Sequence, residues 1–333
     1  MTQVAVFGTG SWGTAFTAVL ADAGCTVRMW GRRPELVERI NVDRVNLDYL
    51  PDLVLPPSVS ATVEPAEAVD GAHIVVLAIP SQLLRANLAD WAHLLPGEAA
   101  VVSLMKGVEL GTAKRMSEVV AEVGKVEPER IAVLSGPNLA REIAAKQPAA
   151  SVVACVDRAT AERVAEACAT AYFRPYTGTD VVGTELGGAV KNVIALAVGI
   201  AEGMGLGDNT KATIITRGLA ETVRLGTALG ADAVTFSGLA GVGDLIATCM
   251  SPLSRNHGFG VKLGRGMTVA EVVASTSQTA EGVKSCQSIL DLANRHGIDV
   301  PIVAAIAALV HGGRRVEDVA SDLLSRPLKA ERG

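Results

Sequence analysis

The chain is poor in aromatic residues and carries no excess of positive charge. Aromatic side chains make up 3% of its 333 residues, so a large core must be built from Ala, Val, Leu and Ile. The formal net charge of −5 disfavours a nucleic-acid-binding or anionic-membrane-binding protein, since both usually present a basic surface. A phosphorylated ligand would therefore have to be attracted by a local cluster of positive groups.

Signals for disulfides, metals and membrane segments are also missing. The N-terminus has no basic segment followed by an apolar core, and apolar runs such as 193–201 are shorter than the ~20 residues of a membrane span. The five histidines lack metal-ligand spacing, which predicts no metal site. The cysteines are scattered without a C-x-x-C pair, as Cys25, Cys155, Cys168, Cys249 and Cys286. We expect reduced thiols in a cytoplasmic protein.

The chain's length favours two domains, and its patterns change near residue 180. Strand and helix patterns alternate in the first part, with strands near 26–30, 73–79, 99–104, 131–136 and 151–156. Helical periodicity follows, near 181–201, 209–229, 240–248, 255–263, 268–275, 280–296, 301–311 and 315–325. This predicts a doubly wound, mainly parallel α/β domain over 1–180 and an all-α domain over 181–333. The Pro- and Leu-rich stretch at 46–58 is predicted to be a loop.

The first strand leads into a glycine turn and then an amphipathic helix. Gly8, Gly10 and Gly13 match G-x-G-x-x-G, which allows a tight turn, close approach to a pyrophosphate and close packing of helix on strand. The first-turn amides near Ser11 and Trp12 would face the phosphates. This context predicts a dinucleotide-binding site.

The end of the second strand indicates which dinucleotide binds there. An NAD site usually places Asp or Glu here for the ribose 2′-hydroxyl, whereas this chain has Gly31, Arg32 and Arg33. Two guanidinium groups suit a 2′-phosphate, although an ordinary solvated turn is the alternative. We expect NADPH as the cofactor, with NADH possible.

Polar residues follow two later strands. Lys106 comes directly after one buried strand, and Gly136 and Asn138 follow another. Because the carboxyl ends of parallel strands form the ligand-binding edge, these residues are ligand candidates. The alternative for Lys106 is a side chain that simply extends to solvent.

The helical part begins with an apolar helix interrupted by Lys191. Gly187 and Gly188 precede it by one turn, and each glycine costs about 1 kcal/mol relative to Ala within a helix. They could make room beside the lysine for a cofactor ring or a small substrate, or they could serve close helix packing. A lysine so placed can exchange a proton with an alcohol or carbonyl oxygen.

Two further groups complete a possible acid–base and anion-binding set. Asp244 and Thr248 are four residues apart and share a helix face. Ser254 has the character of an N-cap, with Arg255 and Asn256 in the first turn that follows. A helix N-terminus that carries an arginine is a suitable phosphate site, although plain capping explains it too.

These segments resemble bacterial NAD(P)-dependent glycerol-3-phosphate dehydrogenases, over nearly the whole chain and in the same order. The matching motifs are GTGSWGTA, MKGVE, SGPNLA, ELGGAVKNVIALAVGI, TRGLAE, GLAGVGDL and SRN. The resemblance implies a Rossmann domain followed by a helical domain of the 6-phosphogluconate dehydrogenase type. It further implies reduction of dihydroxyacetone phosphate to sn-glycerol 3-phosphate, a precursor of phospholipids.

The resemblance also assigns roles to individual positions. The catalytic positions are Lys191, which transfers the proton, Asp244 and Lys106. The cofactor positions, which include the three glycines of the turn, are Gly8, Gly10, Ser11, Trp12, Gly13, Arg32, Arg33, Lys106, Ala140, Arg255 and Glu281. The substrate positions are Lys106, Gly136, Asn138, Lys191, Asp244, Ser254, Arg255 and Asn256, and we add Thr248 because it shares a helix face with Asp244. The chain departs from the usual pattern at Asn138, where Ser or Thr is common, and at Thr279, where an aliphatic residue is common.

Two other functions share part of this pattern. A 3-hydroxyacid dehydrogenase has the same two-domain plan but acts on a carboxylate substrate. A non-catalytic NADPH-binding protein would keep the glycine turn but would not need Lys191, Asp244 and Arg255. We expect the dehydrogenase to act on a small phosphorylated substrate, as a homodimer without nucleic-acid partners.

Overall fold

The computed structural model describes residues 1–276 and 280–324. Its strands in chain order are β1 (Gln3–Phe7), β2 (Thr26–Trp30), β3 (Val45–Asn46), β4 (Leu50–Val54), β5 (Val59–Thr62), β6 (Ile74–Leu77), β7 (Ala100–Ser103), β8 (Ile131–Ser135), β9 (Ala149–Ala154) and β10 (Phe173–Gly178). The α-helices within the strand-containing part are α1 (Ser11–Asp22), α2 (Pro34–Val42), α3 (Pro65–Val69), α4 (Leu84–Trp91), α5 (Met116–Gly124), α6 (Ala140–Ala144) and α7 (Arg158–Cys168).

The part of the chain after β10 is helical. Its α-helices are α8 (Val181–Gly203), α9 (Asp208–Ala228), α10 (Asp244–Met250), α11 (Arg255–Gly264), α12 (Val269–Ala274), α13 (Glu281–Arg295), α14 (Pro301–Val310) and α15 (Val316–Leu324). A 3₁₀ turn at Ala233–Ser237 and a π-helical turn at Leu239–Gly243 precede α10.

Eight strands form one sheet in the order β5-β2-β1-β6-β7-β8-β9-β10. The first six run parallel, while β9 pairs antiparallel with β8, and β10 is parallel to β9. The predicted fold class, a mainly parallel α/β sheet followed by a helical part, is confirmed. The direction of chain progression reverses at β1, between β2 and β6, and the glycine turn follows β1 at this switch point.

The central strands are buried on both faces, as expected for a parallel sheet covered by helices. Every residue of β6, β7 and β8 is buried. Aromatic rings contribute to one of these layers, where Phe7 of β1 and Trp91 of α4 stack with their centroids 4.1 Å apart. Aliphatic side chains fill the remainder of both layers, as the composition predicted.

The prediction of a loop over 46–58 is wrong in part. Residues Val45–Asn46 and Leu50–Val54 pair as an antiparallel hairpin, and the edge strand β5 of the main sheet starts directly after the stretch, at Val59. Leu50 and Leu53 are buried while their neighbours are exposed, so the pairing depends on tertiary burial. Such a short segment has too few residues to establish a period of two.

Helix α8 is the centre of the helical part. Among the described residues, it is the one helix long and apolar enough to cross a membrane, but 89% of its most apolar window is buried inside the protein. This burial is typical of a core helix.

Helices α8 and α11 pack backbone against backbone through glycines. A Cβ at Gly199 would lie 2.1 Å from the carbonyl oxygen of His257, and one at Gly260 would lie 2.2 Å from that of Leu196. Only glycine permits this approach. The contact holds the N-terminus of α11 at a set distance from Lys191 on α8.

The loop between β7 and α5 joins the two parts of the structure. Val108 and Ala113 are buried in the hydrophobic cluster of the helical part, although they follow a strand of the sheet. Buried Glu185 on α8 accepts a 2.8 Å hydrogen bond from the Ser117 amide and pairs with Arg115 at 2.7 Å. These contacts fix the loop that carries Lys106 against the helix that carries Lys191.

Candidate active site

A cavity of about 400 Å³ lies between the carboxyl edge of the sheet and the helical part. Most of the predicted site residues line it. They are Gly8, Gly10, Ser11, Trp12, Arg32, Lys106, Asn138, Ala140, Lys191, Thr248, Ser254, Arg255, Asn256 and Glu281. The others, Gly13, Arg33, Gly136 and Asp244, lie beneath or beside its lining. The structure therefore brings together residues that are up to 273 positions apart, from Gly8 to Glu281.

The glycine turn has the geometry that a dinucleotide pyrophosphate requires. Gly8 has a φ of +126°, and a Cβ there would lie 2.4 Å from the Ala78 carbonyl oxygen. A Cβ at Gly13 would lie 2.3 Å from the Gly8 carbonyl oxygen, so helix and turn are in close contact. Gly10 has open space beside it, and the first-turn amides of α1 follow. Open space next to free helix amides fits a phosphate group.

The two arginines after β2 are placed differently. Arg32 is exposed, lines the cavity and makes no hydrogen bond or ion pair to any described residue. Arg33 does not line the cavity, because its guanidinium pairs with Asp48 at 2.5 Å. The structure thus brings one guanidinium to the cavity and holds the other on the β3–β4 hairpin.

Two lysines share a single buried carboxylate at the other end of the cavity. Lys106 Nζ lies 2.6 Å from one oxygen of Asp244, and Lys191 Nζ lies 2.9 Å from the other. Lys106 also donates to the Gly136 carbonyl at 2.9 Å, and Lys191 donates to Thr248 Oγ1 at 2.6 Å. Asp244 is 1% exposed, so this carboxylate fixes both ammonium groups at the cavity wall.

The charges of this cluster leave one net positive charge when both lysines are protonated. Burial lowers the pKa of Lys106 to about 8, with the like charge of Lys191 adding to the decrease and Asp244 opposing it. A positioned ammonium can neutralise an oxyanion or donate a proton to it. The cluster therefore suits a reaction in which a carbonyl oxygen gains negative charge.

Gly187 serves close packing of helical segments, whereas Gly188 faces strand β8 and the Lys106 side chain. A Cβ at Gly187 would lie 2.3 Å from the Ala240 carbonyl oxygen, and one at Gly188 would lie 2.6 Å from Ser135 Oγ. Neither glycine lines the cavity. The interpretation that they clear space for a cofactor ring is therefore replaced by the close-packing alternative, which brings Lys191 towards Asp244.

The start of α11 is capped as the sequence predicts. Ser254 Oγ accepts a 3.2 Å hydrogen bond from the His257 amide, and Arg255 follows at the first helical position. Arg255 is exposed in the cavity and makes no hydrogen bond or ion pair within the described part of the chain. An unpaired guanidinium beside free helix amides is a suitable anion site.

An amide network connects this anion site to the lysine loop. Asn192 Nδ2 donates to the Lys106 carbonyl at 3.1 Å, and Asn192 Oδ1 accepts from Asn256 Nδ2 at 2.9 Å. Asn256 Oδ1 in turn accepts from the Gly282 amide at 3.0 Å. The network holds three segments of the cavity wall in a fixed arrangement.

Sequence reasoning missed several residues of the lining, among them the charged Arg141 and three polar side chains. Ser81 donates to Glu281 Oε2 at 2.7 Å, Asn192 belongs to the amide network, and Tyr49 extends from the hairpin. Ser81 follows β6, so the rule that selected Lys106 after its own strand could have found it. Tyr49 had no such signal, because the hairpin itself was not recognised.

The two departures from the family pattern have different outcomes. Asn138 Oδ1 accepts a 2.5 Å hydrogen bond from Ser151, and its buried Nδ2 has no hydrogen-bond partner among the described residues. The amide therefore keeps a donor available at the cavity. Thr279 lies outside the described residues.

The cysteines form no part of this site. All five are buried free thiols. Among residues 1–276 and 280–324, no group of three or more His, Cys, Asp or Glu side chains is arranged to hold a metal ion.

Comparison with known proteins agrees with this geometry. Residues 3–161 match the family model of the NAD-dependent glycerol-3-phosphate dehydrogenase N-terminus, and residues 180–321 match that of its C-terminus. Glycerol-3-phosphate dehydrogenase (NAD(P)+) of Streptomyces griseus is 65% identical over 330 residues, covering 99% of this chain and 98% of the relative. The enzyme of that name from Thermobifida fusca is 61% identical, covering 100% and 99%.

A solved structure extends the comparison to three dimensions. The crystal structure of glycerol-3-phosphate dehydrogenase from Coxiella burnetii has a TM-score of 0.93 and 34% sequence identity, covering 98% of this chain and 99% of that one. Fold and sequence similarity agree. The chain belongs to the NAD-dependent glycerol-3-phosphate dehydrogenase family and is an oxidoreductase.

Proposed function

We propose that the chain reduces dihydroxyacetone phosphate to sn-glycerol 3-phosphate with NADPH or NADH. The observation that carries this proposal is the placement of two lysines on one buried carboxylate in the same cavity as a dinucleotide-type glycine turn. The unpaired Arg255 in that cavity supports a phosphorylated substrate. The product would supply glycerol 3-phosphate for phospholipid synthesis.

Proton transfer is assigned to the lysine cluster. The nicotinamide, when bound, supplies a hydride to C2 of the ketone. Lys191 donates its proton to the carbonyl oxygen, so that the carbonyl becomes an alcohol with new C–H and O–H bonds. Asp244 orients Lys191 at 2.9 Å, and Lys106 retains a positive charge beside the developing oxyanion.

Substrate orientation is assigned to the start of α11. Arg255 and the first-turn amides bind the phosphate, while Ser254 keeps the helix start in place. Asn256 contacts the substrate from the same turn, and Asn138 Nδ2 donates from the opposite wall. Gly136 takes part through its carbonyl, which positions Lys106.

The cofactor is assigned to the other end of the cavity. The glycine turn with Ser11 and Trp12 binds the pyrophosphate, Arg32 binds the 2′-phosphate, and Ala140 and Glu281 contact the remainder. Residues 1–180 would form the dinucleotide-binding domain and 181–333 the substrate domain. We further propose that the protein is cytoplasmic and homodimeric.

The direct test is the oxidation of NADPH on addition of dihydroxyacetone phosphate, followed at 340 nm and repeated with NADH. Turnover with hydroxyisobutyrate and NADP+ but not with the phosphorylated ketone would instead indicate a 3-hydroxyacid dehydrogenase. Cofactor binding without turnover of either substrate would indicate a non-catalytic NADPH-binding protein.

The two arginines after β2 are expected to differ in their effect on cofactor choice. Arg32→Ser should raise the KM for NADPH by about tenfold or more, because a charge-assisted hydrogen bond contributes roughly 1.5–3 kcal/mol. The KM for NADH should change little, since NADH has no 2′-phosphate. Arg33→Ser, the matched control, should have a smaller effect because Asp48 already holds that guanidinium. Equal losses with both cofactors would contradict the assignment of Arg32.

The pH profile is expected to report the charge of Lys106. With a pKa of about 8, Lys106 is cationic below that pH and loses its charge as pH rises through it. The kcat/KM for dihydroxyacetone phosphate should therefore fall on the alkaline side of about pH 8. Lys106→Arg keeps its charge at high pH, so its profile should lose this decrease even if its rate is lower. Superimposable profiles would show that another group titrates there.

A further inference from the structure

We propose that Asp48, in the turn of the β3–β4 hairpin, limits the preference for NADPH over NADH by holding Arg33 away from the 2′-phosphate. This inference rests on the proposed dinucleotide site. It also gives a function to the hairpin, whose position the sequence did not explain.

The hairpin is attached directly to the glycine turn. Asn46 is fully buried, and its Nδ2 donates to the Thr9 carbonyl and to Thr14 Oγ1, both at 2.8 Å. Thr9 lies between the two glycines that precede α1, so the hairpin is anchored at the predicted pyrophosphate site. Tyr49, three residues after Asn46, lines the cavity. The segment between them therefore has a defined position next to the cofactor site.

Asp48 occupies that segment and engages two arginines of α2 and its N-cap. Its Oδ2 lies 2.5 Å from Arg33 Nη2, and its Oδ1 lies 3.4 Å from Arg39 Nη1. The hydrogen bond that Arg33 donates to the Asp48 carboxylate is the main cause of a raised pKa at Arg33. Glu35 is a second, more distant acidic neighbour of Arg33, at 4.0 Å.

The neighbouring arginine shows what Asp48 does to Arg33. Arg32 has no such partner among the described residues and lines the cavity, whereas Arg33 has one and does not. The difference in position follows the difference in pairing. Asp48 also places a negative charge near the ribose end of the site, where it repels a 2′-phosphate.

The Arg33–Asp48 ion pair should have only a moderate effect on cofactor preference. The side chains of Arg33 and Asp48 are 47% and 36% exposed, so water and salt weaken their attraction. A free Arg32 still attracts a 2′-phosphate, while the held Arg33 does not add to it. Such a site accepts NADPH without excluding NADH.

The test measures binding of cofactor fragments, which requires no turnover. Calorimetric titration of Asp48→Asn with 2′,5′-ADP should give a Kd about two- to fivefold lower than wild type, the range expected for one surface charge. The Kd for 5′-AMP, which lacks the 2′-phosphate, should stay within about twofold. The gain should shrink in about 0.5 M salt, where charges beyond a few ångströms are screened.

Asp52→Asn is the matched control. Asp52 is exposed on the same hairpin and makes no ion pair to a described residue, so it reports the charge change alone. Its effect on the Kd for 2′,5′-ADP should be clearly smaller than that of Asp48→Asn. A second pair of variants tests the mechanism. In the Arg33→Leu background, adding Asp48→Asn should lower the Kd for 2′,5′-ADP by less than it does in the wild-type background.

Three results would overturn the inference. Weaker 2′,5′-ADP binding by Asp48→Asn would show that Asp48 directs Arg33 towards the phosphate. An equal change with 5′-AMP, or an equal change in Asp52→Asn, would show that the effect is not specific to Arg33 and the 2′-phosphate. Failure of the proposed reaction would appear differently, as absent ketone reduction by a protein that still distinguishes the two fragments.

Discussion

Lys191→Ala should reduce kcat for dihydroxyacetone phosphate by about 10²–10⁴-fold, the usual contribution of a general acid–base group. Lys191 Nζ is held by Asp244 at 2.9 Å and Thr248 at 2.6 Å, and alanine cannot supply a proton there. The Kd for NADPH, measured by quenching of tryptophan fluorescence, should change little because Lys191 acts on the substrate oxygen.

The fold should tolerate this substitution. Asp244 keeps its 2.6 Å contact with Lys106, so no buried carboxylate is left unpaired. Lys262→Ala is a suitable control, since Lys262 lies on α11 and contacts Ser275 outside the cavity lining. If Lys191→Ala kept more than about a tenth of the wild-type kcat, the assigned proton transfer would be wrong.

Arg255→Leu should lower kcat/KM for dihydroxyacetone phosphate by about 10²-fold or more. The chain has a net charge of −5, so its overall field does not attract a phosphorylated substrate and the local site must do so. Each charge-assisted hydrogen bond from an arginine contributes roughly 1.5–3 kcal/mol, and two such bonds account for the expected loss.

The unphosphorylated ketone provides the control for this prediction. Dihydroxyacetone lacks the group that Arg255 binds, so its low kcat/KM should barely change in the leucine variant. Arg255→Lys should restore only part of the activity, because a point charge cannot reproduce the planar guanidinium. Parallel losses with both ketones would assign Arg255 to the cofactor or to the fold, and the phosphate site would have to lie elsewhere in the cavity.

Features that depend on neighbouring residues could be predicted from the sequence. The glycine turn is one, because its conformation and helix start are set within about ten residues and require glycine where backbone groups meet. The cap at Ser254 and the shared face of Asp244 and Thr248 are others, since both follow from helical spacing. The strands predicted near 73–79, 99–104 and 131–136 correspond to β6, β7 and β8, whose residues are all buried.

Features that depend on distant residues needed the tertiary structure. Lys106 and Asp244 are separated by 138 positions, and no local sequence pattern predicts that Lys106 and Lys191 share one carboxylate. The role of Gly187 was decided by the backbone of Ala240, which approaches from another helical turn. The β3–β4 hairpin formed where burial of Leu50 and Leu53 outweighed a weak local signal.

The arginines after β2 show the division most clearly. Residue types alone establish that two guanidinium groups stand where an acidic residue would mark an NAD site. The folded structure shows that Arg32 lines the cavity while Arg33 pairs with Asp48. The physical reason is that residue type sets the charge of a side chain, whereas the position of that charge depends on which partner the folded chain brings within hydrogen-bonding distance.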